Sequence, residues 1–131
     1  MRIIHFDRSK EIPIVDALVF GRTKHERVRL VFDSGCGTTQ IHVGVVRSIG
    51  YSDKDSKQIT SVQGASGEKQ DGFLLKIQEL QLFGISFANM NVAAHDFGHF
   101  SRYGIDGLLG FDVIKQLKFK LDGPEGLLKI Y

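Results

Sequence analysis

Leu30-Val31-Phe32-Asp33-Ser34-Gly35-Cys36-Gly37-Thr38-Thr39-Gln40-Ile41 is the stretch on which the fold turns. Val28, Leu30 and Phe32 alternate with Arg29 and Val31, the two-residue period of a strand. That strand ends at Asp33, where a glycine-rich run over 35–37 begins. Alone, Asp33-Ser34-Gly35 reads as a turn, because Asp and Ser bond nearby backbone and Gly accepts a positive φ. Its surroundings decide whether it is more than that.

Upstream, Ile12 to Phe20 reads as a strand, and the polar Gly21-Arg22-Thr23-Lys24-His25-Glu26 turns it back into the strand that ends at Asp33. Downstream, residues 42–49 read as a short helix, with Val45, Val46 and Ile49 on one face and Gly50 at the position after its end. A charged loop, Ser52 to Lys57, leads to Ile59-Thr60-Ser61-Val62. The Gly64-Ala65-Ser66-Gly67-Glu68 tip and the run Gly72 to Ile77 complete a second hairpin. Leu80 and Leu82 extend the apolar series, and Met90, Val92 and Ala94 predict another strand. After a loop over 95–104, Leu108-Leu109-Gly110 precedes a short helix over 112–117 with Asp112 as its N-cap. Phe119 and Leu121, a turn at Asp122-Gly123-Pro124-Glu125-Gly126 and a strand over 127–131 close the chain. Fifteen glycines between short Val, Ile, Leu and Phe runs predict a β-rich single domain over residues 1–131.

The order of these features resembles the retropepsin-like, half-pepsin aspartic proteases over roughly residues 12–131. It runs strand, Asp33-Ser34-Gly35, short helix, flap-like hairpin, then Gly107-Leu108-Leu109-Gly110 and a second short helix. The resemblance implies an all-β fold: the closed barrel of one pepsin lobe, with a flap hairpin and one or two short helices. It further implies an aspartic endopeptidase acting as a homodimer, with one Asp33 from each chain and with no cofactor or metal. By the same resemblance Asp33, Ser34 and Gly35 form the catalytic triplet. Val62, Gln63, Gly64, Ala65, Ser66 and Gly67 form the substrate-covering flap, and Leu108, Leu109 and Gly110 support the active loop. The partners implied are a second copy and a peptide or protein substrate. Residues 127–131 are a candidate for the dimer sheet. A protease-fold protein that binds or scaffolds peptides without cutting them is the alternative.

Two positions depart from the family pattern. Cys36 stands where Ala is usual, and Gly37 where Ser or Thr is usual. Gly37 lacks a hydroxyl that would help orient the carboxylates. Cys36 reads as a small buried hydrophobe, with a redox switch as the other reading. Asp106 reads as a backbone-bonding residue rather than an intrachain partner for Asp33, and Asp122 as a turn residue. His95, Asp96 and His99 have ligand-like spacing, but Gly98 and the nearby aromatics argue for a loop without metal. The glycine-rich tip at 64–67 lacks the Gly-Lys-Ser/Thr end of a phosphate loop.

The bulk numbers set the outer bounds. A net charge of +2, with no run of basic residues, gives no basis for nucleic-acid binding. The single cysteine excludes a disulfide within the chain. No apolar stretch nears the ~18 residues of a membrane span, and Met1 to Asp7 lacks the apolar core of a signal peptide, so the expected location is cytoplasmic.

Overall fold

The computed structural model describes residues 1–10, 12–56, 58–63, 69–98 and 103–131, with backbone alone for 58–63 and 69–71. The strands are β1 (Arg2–His5), β2 (Ile14–Phe20), β3 (His25–Phe32), β4 (Gln40–His42), β5 (Gln58–Gln63), β6 (Lys69–Leu82), β7 (Ile85–His95), β8 (Gly107–Leu109), β9 (Phe119–Asp122) and β10 (Leu127–Ile130). Among the elements that lie wholly within the described residues, the α-helices are α1 (Val43–Ser48) and α2 (Phe111–Ile114). None of the described helices is long and apolar enough to cross a membrane.

Six strands close into a barrel in the order β2-β3-β8-β4-β7-β6, with β6 returning to β2. β5 hangs from the outer end of β6, pairing Gln58 with Leu74 through Gln63 with Lys69. The hairpin expected over 59–77 is therefore present, but its tip at 64–67 lies outside the described residues. β6 runs unbroken for fourteen residues, because the return of that hairpin and the Leu80–Leu82 run are one strand.

Closure depends on a change of face within the long β6–β7 pair. Phe73, Leu75 and Ile77 are buried, and then Leu80 and Leu82 are. The buried set thus shifts from odd to even positions near Gln78. β7 shifts at the same level: Phe87 packs against the core on one side of Asn89, Met90 and Val92 on the other. Asn89 has φ 51, a left-handed conformation that Asn tolerates and that re-aims the strand. Beyond this point Glu79 to Gln81 pair with Leu18 to Phe20 and seal the barrel.

Sequence and structure agree on most elements. β2 starts two residues later than expected, and β3 begins already at His25 within the expected turn. α1 ends at Ser48, and Gly50 follows with φ 102, which explains the glycine after the helix. α2 begins at Phe111 with Gly110 as N-cap, so Asp112 lies inside the helix rather than capping it. β1, β4 and β8 are elements the pattern did not reveal: strands of three or four residues carry too little periodicity.

β1, β10 and β9 form a separate antiparallel sheet with β10 in the centre. Arg2–His5 pair with β10 on one edge and Phe119–Asp122 on the other. Both edges of residues 127–130 are thus used within the chain. The segment expected as a candidate for the dimer sheet is therefore the central strand of this sheet, whose outer strands are β1 and β9.

Candidate active site

Asp33 follows β3 at the barrel's mouth. Its backbone N–H donates to the Leu109 carbonyl at 3.0 Å, so the carboxylate is positioned by β8. The chain then folds back on itself. Gly35 N–H donates to Asp33 Oδ1 at 3.0 Å, and Cys36 N–H to the Asp33 carbonyl at 3.1 Å. Asp33 is half-buried, while Ser34 and Gly35 are exposed.

A second segment grips this loop from below. β8 lies parallel to β3, pairing Leu108 with Val31, and antiparallel to β4, pairing Leu108 with Gln40. Leu109 is fully buried, Leu108 half-buried. The flanking glycines are required by close approach. A Cβ on Gly107 would stand 1.9 Å from the Gln40 carbonyl oxygen, and one on Gly110 would stand 2.7 Å from the Thr38–Thr39 backbone. Phe111 N–H reaches the Cys36 carbonyl at 2.6 Å, so α2 starts directly against the Asp33 loop.

Thr39 and Asp112 complete the bracket. Thr39 is wholly buried. Its hydroxyl donates to Asp112 Oδ1 at 2.8 Å and accepts from Gly110 N–H at 3.0 Å. Its backbone N–H donates to Asp112 Oδ2 at 3.0 Å. Asp112 is thus the tie between two segments 73 residues apart, not a helix cap. Sequence reasoning missed Thr39 altogether, because no local pattern marks a pair so distant.

The other acids are occupied elsewhere. Asp106 Oδ2 accepts from Arg29 N–H at 2.9 Å, and Asp106 N–H donates to the Arg29 carbonyl at 2.8 Å. Arg29 precedes Asp33 by four residues of extended chain, about 13 Å, so Asp106 sits well back from the Asp33 carboxylate. Asp122 accepts from Glu125 N–H within its turn. Among the described residues no cluster of three His, Cys, Asp or Glu could hold a metal. His95 is buried and bonds Gln40, His42 accepts from Phe97 N–H, and His99 lies outside the described residues.

Cys36 is half-buried; its thiol donates to the Thr38 carbonyl at 3.1 Å and accepts from Gln40 Nε2 at 3.2 Å. Burial pushes this thiol above its ordinary range, and the negative charge of Asp33 acts the same way. A group so placed stays protonated at neutral pH, which disfavours the redox reading.

The fold matches solved structures of low sequence identity. A retropepsin-like aspartic protease from Rickettsia conorii superimposes with a TM-score of 0.70 at 17% identity, covering 99% of this chain and 97% of that one. The retroviral protease-like domain of Ddi1 from Leishmania major gives 0.61 at 13% identity, covering 91% and 87%. EIAV protease, solved with the inhibitor HBY-793, gives 0.57 at 14% identity, covering 82% and 88%. A search of curated proteins finds no match to the sequence. The model of the aspartyl protease family matches residues 15–113, from β2 through the Asp33 loop to α2, and the chain belongs to that family.

Proposed function

We propose that the chain is an aspartic endopeptidase that works as a homodimer, with Asp33 of each copy supplying half of a catalytic pair. The observation that carries this reading is the Asp33 loop itself. Its half-exposed carboxylate accepts from Gly35 N–H, its backbone N–H is anchored on the Leu109 carbonyl, and the acids Asp106 and Asp112 are engaged elsewhere.

Exposed apolar side chains stand on the elements next to that loop, as a second copy would require. Phe119 and Leu121 share a sheet face with Ile130 and Leu128, which are buried, yet they stay 38% and 46% exposed. Phe119 packs edge-on against Phe32, the residue before Asp33. Phe111, beside Cys36, is 47% exposed. Large apolar side chains grouped this way favour burial by a partner.

In the dimer two carboxylates face each other and share one proton, since like charges that close do not both ionise. The charged member takes a proton from a water held between them, and that water attacks the scissile carbonyl. The protonated member donates to the carbonyl oxygen. Collapse of the tetrahedral intermediate breaks the C–N bond as the amine takes up a proton. Ser34 links the two loops across the axis, Gly35 keeps the backbone close to the carboxylates, and residues 62–67 close over the substrate and exclude water. Leu108, Leu109 and Gly110 hold the loop from below.

The test is cleavage of unfolded protein from acidic to neutral pH by wild type and Asp33→Asn, over a range of protein concentrations. Cleavage by wild type that rises faster than linearly with protein concentration, and its loss in Asp33→Asn, are expected. Peptide binding without cleavage at any pH or concentration would leave the scaffolding reading instead.

A further inference from the structure

Three polar side chains linked to the Asp33 loop have no part in the chemistry above. Gln40 Nε2 donates to Cys36 Sγ at 3.2 Å, and Gln40 Oε1 meets Nε2 of His95, which is only 5% exposed. The chemistry of each group sets the direction of every bond. An amide oxygen only accepts, so His95 Nε2 carries a proton and donates. An amide nitrogen only donates, so Cys36 Sγ accepts from it. The Thr38 carbonyl only accepts, so the thiol donates onward at 3.1 Å. The bonds run one way, from the barrel wall at the end of β7 into the exposed Asp33 loop.

The loop has few other side-chain anchors. Gly35 and Gly37 flank Cys36, so between Ser34 and Thr38 only Cys36 has a side chain. Gly37 has open space where a Cβ would be. We propose that Gln40 and His95 are positioning residues, fixing the loop that carries Asp33 by gripping Cys36. The role in catalysis rests on the reading of Asp33 as the catalytic acid; the grip itself does not. It also gives Cys36 a purpose that an alanine could not serve.

Amide exchange by NMR on wild type, Gln40→Leu, Cys36→Ala and Cys36→Ser tests the grip without needing activity. Gln40→Leu is expected to speed exchange at Gly35 and Cys36, whose N–H groups bond Asp33, by roughly tenfold, with β6 amides unchanged. Cys36→Ala should do the same, and the double variant should add nothing further. Cys36→Ser, whose hydroxyl both accepts and donates, should keep the wild-type rates. Nitrogen-15 spectra should show His95 protonated at Nε2. His95 protonated at Nδ1 alone, unchanged exchange in Gln40→Leu, or additive effects would each overturn the proposal. For the cleavage reaction, kcat should fall by roughly tenfold in Gln40→Leu with KM held, the scale of a misplaced reacting group. If wild type cleaves nothing but the exchange pattern holds, the grip stands and the peptidase reading falls. If wild type cleaves and kcat is indifferent to Gln40→Leu, the positioning role falls alone.

Discussion

Thr39 shows how a single buried hydroxyl supports the site. It joins Gly110 N–H to Asp112 Oδ1, and its removal would orphan the Gly110 N–H and leave Asp112 Oδ1 with the Val113 N–H. Thr39→Val keeps the shape but leaves a buried donor unpaired, a cost of about 1–3 kcal/mol. Thr39→Ser keeps the bonds and should cost less. Urea denaturation of the two variants measures the difference, and equal midpoints would contradict the bracket drawn here. Asp33 behaves differently at this scale. Its substitution by Asn is expected to remove cleavage with little change in stability, because Asn can accept the same bond from Gly35.

Among the elements, β8 is only three residues long, yet it anchors the Asp33 loop through the Leu109 carbonyl. Gly107→Ala would drive a methyl into the Gln40 carbonyl and force β4 from β8. The expected loss is roughly 3 kcal/mol or more, the range of overpacked positions, read as a lower thermal midpoint. The 3₁₀ turn Asp53–Asp55 gives a pH prediction. A bond from Ser52 N–H, aided by Arg22, holds the Asp55 carboxyl below its usual range. A carboxylate lowered in the folded state stabilises above its unfolded pKa, near 4, and that contribution is lost as pH falls through the folded value. Asp55→Asn should therefore flatten the acid limb of the stability–pH curve, measured by denaturation from pH 2 to pH 6. An unchanged limb would show that this turn does not couple to folding.

At the level of the whole molecule, Phe119 and Leu121 stay uncovered on the β1-β10-β9 sheet and Phe111 on α2. A charge at Leu121 would disfavour burial by a partner while leaving the barrel core untouched. Leu121→Lys is expected to shift sedimentation toward monomer, with the monomer's circular dichroism unchanged. Wild type should show a thermal midpoint that rises with protein concentration, as mass action demands of a dimer. A wild-type midpoint independent of concentration would count against assembly.

The alternation around Val28–Phe32 made the strands legible in the sequence, and the order of hairpins with the glycines at 107 and 110 carried the resemblance that implied the barrel. These are local or periodic signals, and burial of one strand face enforces them. The position of Asp33 was legible for the same reason, since a strand end followed by glycines needs no distant partner. Only the tertiary structure decided that β1 and β9 flank β10, that Asp112 ties Thr39 instead of capping a helix, and that His95 reaches Cys36 through Gln40. Those pairings join residues far apart in sequence, set by how the barrel closes. No local propensity records which donor will meet which acceptor once it does.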